Sequence, residues 1–249
     1  MKPIGLQLYT LREAAAQDFP AVLTKVADIG YKGVEFAGLH GMPAAEVRKM
    51  IDDLGMVACS AHGGIPTAET AAQIIDECNA LGHTRLVTGP GGALDTMDNV
   101  LAAADRLNAG IEALGKSGIR LGLHNHWAEF QLVDGVLPED VMLDKCPDLF
   151  AQLDVYWTAV GGPDPAATVA RLKSRAPLLH IKDGMIDPPQ PHTAVGQGVL
   201  DMPKIIAAAD PNVLEWLIVE LDSCATDMVK AVEDSYRYMI DDGLAAGNR

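Results

Sequence analysis

Positive charge is scarce in this sequence: 19 lysines and arginines stand against 34 aspartates and glutamates, a formal net charge of −15 at pH 7. An acidic surface repels phosphate backbones, which disfavours a nucleic-acid partner. No arginine-rich stretch suggests a phosphate pocket either. Long apolar runs are missing too, and none approaches the roughly 20 residues that cross a bilayer. The opening stretch, MKPIGLQLYTLRE, lacks the cationic region and apolar core of a signal peptide. The four cysteines, Cys59, Cys78, Cys146 and Cys224, lie far apart without a C-x-x-C pair. They read as reduced, core-filling thiols, and the expected compartment is the cytoplasm. No low-complexity segment or interdomain linker interrupts the chain. No G-x-G-x-x-G turn follows the first strand-like run, so a dinucleotide-binding open sheet has no support.

What is present is an ordinary globular composition, 249 residues of which 49% are hydrophobic and 21% charged. That length suits one eight-fold α/β barrel or two ordinary domains. The pattern decides between them. In Phe150–Asp183 an apolar run ends in Asp154, a Gly-Gly-Pro loop and a helix-patterned segment follow, and a second run, Leu178–Ile181, ends in Lys182-Asp183. This is a βαβ unit with polar groups where its strands should end. Further strand-like runs are predicted at Ile4–Tyr9, Lys32–Phe36, Met56–Ala61, Arg85–Thr88, Ile119–Leu123 and Trp216–Val219. Helical periodicity lies between them, as in Pro43–Leu54, where Val47, Met50, Ile51 and Leu54 fall on one face. Eight strand–helix pairs predict one α/β domain over residues 1–249, a (β/α)8 TIM barrel.

A barrel gathers the polar residues at its strand ends onto one rim: Tyr9, Glu35, His62, His124, His126, Asp154, His180, Lys182, Glu220 and Asp222. Any one of them alone reads most simply as a turn residue or a satisfied polar group. Together they hold several acids, several imidazoles and a single lysine, and buried ionisable groups need partners or a cation. Carboxylates with imidazoles on separate strands make a mixed O/N site for a divalent metal, with Asp154, His180 and Glu220 as the candidate ligands. Cysteine is absent from the set, which argues against structural zinc. Lys182 could anchor a substrate oxygen or pair with Asp183 or Glu220. Tyr9, Trp127 and Trp157 could wall a sugar face, although Trp157 reads equally well as core. His40, His83 and His192 read as loop residues, and Gly196-Gln197-Gly198 as a loop passing close to the site.

The motifs HNHWAEF, DVYW followed by GG-x-DP, HIKD, G-x-G and VELD, in that order, resemble the xylose-isomerase-like sugar isomerase/epimerase superfamily, to which inosose dehydratases and endonuclease IV are related. The resemblance runs from QLYTLR through YKGVEF to the last helix. It implies a barrel with one divalent metal, commonly manganese, cobalt or magnesium with zinc also compatible, held by Glu, Asp, His and Glu from strands five to eight. Asp154, His180 and Glu220 match the last three ligands. Strand five departs from the pattern: His124 stands where many members place glutamate, and the nearest acid is Glu129. Either Glu129 reaches back to the metal or His124 is the ligand and Glu129 supports it. Glu129 is the expected ligand, because three carboxylates suit a hard cation better.

The resemblance implies a metal-dependent isomerase or epimerase of a sugar or keto-polyol, acting by proton abstraction through a metal-bound ene-diolate. Glu220 and Glu129 are the expected bases, with His124 and Lys182 in the catalytic group. Tyr9, Glu35, His62, His126, Trp157 and Asp183 are the expected substrate contacts. A lyase or dehydratase acting on a keto-inositol or 3-keto-glycoside is the alternative, since the HNH stretch could supply a general acid. The net charge disfavours an endonuclease-like reading. The partner expected is a small carbohydrate, not nucleic acid or membrane, and the sequence leaves open whether the chain forms a homo-oligomer.

Overall fold

The computed structural model describes residues 1–189 and 191–249. Eight strands, β1 (Lys2–Gln7), β2 (Gly33–Phe36), β3 (Val57–His62), β4 (Arg85–Thr88), β5 (Arg120–His124), β6 (Phe150–Asp154), β7 (Leu178–Ile181) and β8 (Trp216–Val219), pair in parallel in sequence order. β1 pairs with both β8 and β2, so the sheet closes into a TIM barrel. A short ninth strand, β9 (Ala245–Ala246), lies beside Lys2 and Pro3 at the amino end of β1.

The helices between the strands start and stop where local chemistry requires. Asp18, Asp164, Asp201 and Asp227 each accept a backbone N–H in the first turn of the helix they precede, filling a donor that the helix leaves unpaired. Gly30 and Gly82 close two helices in the left-handed conformation. Two local expectations change. The chain leaves β1 at Gln7 and enters a 3-10 turn, Leu8–Leu11, so Tyr9 is not in a strand. The segment after β6 is a helix, Val155–Gly161, because the Asp154 carboxylate accepts the Trp157 N–H.

Side chains alternate across each strand. Ala151 and Leu153 of β6, Leu179 and Ile181 of β7, and Leu217 and Val219 of β8 join the apolar layer under the helices. Phe150, Leu178 and Ile218 turn inward and pack with Cys59 and Val87 in the lower lumen. A Cβ on Gly122 would meet the Phe150 ring at 2.2 Å, so the ring's volume requires glycine there. One step further along the same inward faces come Gln152, Asp154, His180 and Glu220.

Candidate functional site

The upper lumen is organised around Glu35. Its carboxylate, fully buried, accepts Gln7 Nε2 at 2.7 Å and His180 Nε2 at 2.6 Å, together with Ser60 Oγ and Gln152 Nε2, and His62 Nε2 lies 3.2 Å away. Burial alone would raise its pKa, but His62 and His180 hold it well below the usual carboxylate range. An ionised carboxylate only accepts, so Gln152 must present its NH2 to Glu35 and its Oε1 elsewhere. That oxygen lies 2.7 Å from His62 Nε2 and 3.1 Å from His124 Nδ1. Both nitrogens therefore donate. In their neutral forms His124 keeps an unprotonated Nε2, and His62 an unprotonated Nδ1. Burial, reinforced by His180 and His62, pushes the His124 pKa well below the ordinary imidazole value, so this ring is neutral.

His124, Asp154, His180 and Glu220 are all buried, and one ligating atom from each lies within 4.8 Å of the others. His180 spans two acids, Nε2 to Glu35 and Nδ1 to Glu220 Oε2 at 2.9 Å. Burial opposes its charge, yet Glu35 and Glu220 outweigh burial and raise its pKa to about 10. Lys182 Nζ lies 3.0 Å from Asp154, 2.9 Å from Glu220 and 2.7 Å from Asp222. Those three carboxylates overcome burial and keep it an ammonium. Glu220 is correspondingly held low by Lys182 and His180 against the effect of burial.

A divalent cation fits these donors. Asp154 Oδ2 is buried and receives no aligned hydrogen bond among the described residues, although Lys182 Nζ is 3.0 Å away. Burial pushes the Asp154 pKa up, with Glu220 adding to the rise and Lys182 opposing it. A carboxylate driven toward its protonated form marks a place short of positive charge. Two carboxylates and two imidazoles form a borderline set that suits zinc, cobalt or manganese better than magnesium. Glu35, by holding His180 Nε2, leaves Nδ1 toward the cluster, the outer-partner arrangement usual for metal-bound imidazoles.

Several expected residues lie elsewhere. Glu129 does not reach the cluster: five residues beyond His124 the chain has turned into a 3-10 helix, Ala128–Phe130, and Glu129 accepts the His126 N–H at 2.9 Å. His124 takes the strand-five place among the candidate ligands. Asp183 is fully buried and is taken up by the loop that follows it. Its two oxygens accept the N–H groups of Gly184, Gly196, Gly198 and Leu200. A Cβ on Gly198 would lie 2.0 Å from Asp183 Oδ1, so the Gly-Gln-Gly path serves this loop anchor. Glu35 is a buried support beneath the cluster. Tyr9 is 44% exposed on the rim, with the Arg12 guanidinium 4.3 Å above its ring. Trp157 reaches the site edge, its Nε1 3.2 Å from Asp222 Oδ2, and His126 is an exposed neighbour whose ring lies 5.0 Å from His124. The sequence reading missed Gln7, Ser60, Gln152 and His192. Period-two spacing from Asp154 would have placed Gln152 on the inward face.

Closed parallel barrels carry their chemistry at the carboxyl ends of the strands, and here that end holds an acid–imidazole cluster. The chain belongs to the xylose isomerase-like TIM barrel family, which matches residues 23–241. A sugar phosphate isomerase/epimerase from Parabacteroides distasonis ATCC 8503 is 25% identical, with a TM-score of 0.81, over 98% of this chain and 96% of that one. An L-ribulose 3-epimerase shares the fold at 18% identity and a TM-score of 0.75, over 98% of this chain and 95% of its own. The IOLI protein, solved with a binding zinc atom, does so at 12% identity and a TM-score of 0.77, with 97% of each chain covered. No curated protein matches the sequence. Among the described residues no helix is long and apolar enough to cross a membrane.

Proposed function

We propose that this protein is a divalent-metal-dependent isomerase or epimerase of a sugar or keto-polyol. The observation that carries the reading is the convergence of His124, Asp154, His180 and Glu220 within 4.8 Å at the carboxyl end of the barrel. Membership of a family that includes sugar isomerases supports it. A cation held by these four residues would supply Lewis acidity toward a substrate carbonyl and its neighbouring hydroxyl, making the C–H between them acidic.

The chain's own groups do the rest. Lys182, held as an ammonium by three acids, keeps Glu220 ionised, opposes the rise in the Asp154 pKa and fixes the direction of both carboxylates. Glu220 Oε2 is occupied by His180 and Lys182, and Glu129 Oε2 by the His126 N–H, so one oxygen of each acid is already engaged. Proton transfer falls to the imidazoles of His62 and His126, each with its ring centroid 5.0 Å from His124. His62 presents Nε2 to Gln152 and, 3.2 Å away, to Glu35, which outweighs burial and raises its pKa, so it acts as a base once Nδ1 has given up its proton and as an acid before that. One imidazole suffices for a 1,2-shift through an ene-diolate; two permit epimerisation. A dehydratase would share the first step and use the second imidazole as an acid toward a β-leaving group. The pair His62 and His126 is the feature that keeps this second reading.

The test is a metal-loaded preparation in D2O offered ketoses, keto-inositols and 3-keto-glycosides. Recovered substrate should carry deuterium at the carbon beside the carbonyl, and excess chelator should stop its incorporation. A product lighter by one water would select the dehydratase. Full turnover in chelator, with no metal by elemental analysis, would sink both readings. Calorimetry should also show a proton released as the ion binds, because His180 must surrender Nδ1–H. Below pH about 10, affinity should therefore rise with pH.

A further inference from the structure

Beside the cluster opens a cleft of about 510 Å3, walled by Trp127, Tyr156, Trp157, Val160 and His192, with Asp222 at its inner edge. Asp222 joins it to the charged lumen, because Oδ2 accepts both Lys182 Nζ at 2.7 Å and Trp157 Nε1 at 3.2 Å. We propose that this cleft binds the second ring of a carbohydrate substrate, a ring linked to the sugar that reacts at the cluster, and that the substrate carries no phosphate. The proposal rests on the reading of the cluster as a sugar site and names the substrate class it takes.

The walls have the chemistry of ring recognition. The Trp127 and Trp157 rings lie 5.1 Å apart at 50°, and Tyr156 stands 5.2 Å from Trp157. Trp127 is 44% exposed, so an indole face is held in water at the mouth of a concave site. Flat apolar faces of this kind pack against sugar C–H faces and aromatic rings alike. Tyr156 is fully buried behind them, its hydroxyl donated to the Met185 carbonyl, and backs the indole walls.

The polar features favour a neutral ligand. Among the described residues lining the cleft none is Lys or Arg, while Asp222 contributes an acid. Lys182 faces three carboxylates. Arg12, near Asp222, is directed at the carbonyl oxygens of Tyr9 and Asp222. A phosphate would enter an acidic, unpaired environment and lose its hydration without compensation. His192 is different. Its Nδ1 accepts the Asp222 N–H at 3.1 Å, which places the ring proton on Nε2. Burial, with Lys182 nearby and against the pull of Asp222 3.9 Å from Nε2, lowers its pKa to about 4, so the ring is neutral rather than a cation suited to phosphate. A β-bridge to Cys224 fixes its backbone.

The experiment measures binding by saturation-transfer NMR and titration calorimetry on the full chain with Mn2+. The probes are methyl β-D-glucopyranoside, phenyl β-D-glucopyranoside, cellobiose and glucose 6-phosphate. At least one two-ring probe should bind about tenfold more tightly than the methyl glycoside, and glucose 6-phosphate should bind weakest. Preference for the phenyl probe identifies an aromatic second ring, and preference for cellobiose a sugar. Trp127→Ala should reduce the two-ring probes to the methyl level without changing the melting temperature, since Trp127 is half-exposed. Repeating the series in Asp154→Asn, whose amide oxygen still caps the helix carrying Tyr156 and Trp157, separates the cleft from the metal: the ring preference should survive there even if the ion is lost. Equal binding of the three glycosides, no binding of any probe, tighter binding of glucose 6-phosphate, or an unchanged preference in Trp127→Ala would each overturn the proposal.

Discussion

In the lower half of the barrel lumen Cys59, Val87, Phe150, Leu178 and Ile218 pack together against Trp216, with Arg85 and Arg120 over the Phe150 ring. In the upper half, where β6, β7 and β8 continue to Gln152, Asp154, His180 and Glu220 and are joined by Glu35 of β2 and His124 of β5, the inward side chains are polar or charged. Strand geometry is the same in both; only side-chain chemistry changes. The lower half gains stability from apolar burial and close packing. The upper half buries charge, which costs stability unless every group has a partner. It manages this through a connected network in which Glu35 meets Gln7, Ser60, His62, Gln152 and His180 and Lys182 meets three acids. The place where the network falls short, Asp154 Oδ2, is where a cation fits. One half holds the barrel closed, and the other is arranged to act.

Two substitutions on β6 test that division most severely. Asp154→Ala should lower metal affinity by more than about 100-fold, beyond the range usual for outer partners, while costing only the roughly 0.5–2 kcal/mol of the helix cap it removes at Trp157. Phe150→Ala should do the reverse. Emptying a ring-sized space opposite Gly122 should cost about 3–5 kcal/mol and lower the melting temperature by roughly 10 °C, with metal affinity kept. Calorimetry and thermal melting on both variants give the answer. If Phe150→Ala loses the metal as completely as Asp154→Ala does, the two halves are not separable.

A smaller effect sharpens the account of how the upper half is set. Gln152→Leu removes the acceptor that holds His62 Nε2 and His124 Nδ1 and keeps the strand apolar. Metal affinity should fall about 10–100-fold, the usual cost of losing an outer partner, with the fold retained. Nitrogen-15 spectra should show His124 protonated at Nδ1 in the parent and as a tautomer mixture in the variant. An unchanged tautomer would mean that Gln152 follows the imidazoles instead of directing them.

Asp154, His180 and Glu220 were legible in the sequence because each stands at or near the end of an apolar run, where a parallel strand opens onto a rim. Gln152 was hidden inside such a run, where an amide looks like one polar interruption among apolar neighbours. Its role comes from Glu35, more than a hundred residues away. Glu129 was misplaced because charge matching to a hard cation outweighed chain geometry. The turn after β5 carries it off the rim, and His124 keeps the inward position. Asp183 and the Gly-Gln-Gly loop seemed to belong to the substrate because they follow a site strand, whereas four backbone donors claim the acid. His192 carried no signal beyond being a loop histidine, since only the pairing of two loops brings it beside Asp222. The barrel itself was readable because its periodicities are local; the network was not, because its bonds join distant strands.

The smallest expected effect comes from outside the lumen. Glu139, in the first turn of the helix Pro138–Lys145, is fully buried, and neither carboxyl oxygen has a hydrogen bond among the described residues. Burial, followed by repulsion from Glu129 and Asp140, pushes its pKa well above the ordinary range against the pull of Arg171 and Arg175. The folded protein therefore holds a proton here that the unfolded chain releases near pH about 4.3. A raised folded value means that the stabilising contribution is complete below that pH and is lost as pH rises toward the folded pKa. Glu139→Gln removes this dependence. The variant should melt higher than the parent at pH 7, by about 2–4 °C for each kcal/mol recovered. The advantage should close at a pH below about 4, where both chains are protonated folded and unfolded. Metal affinity should not change. A variant less stable at pH 7 would mean that an isolated buried acid supports this fold, and the contrast between partnered charge in the upper lumen and unpartnered charge elsewhere would lose its basis.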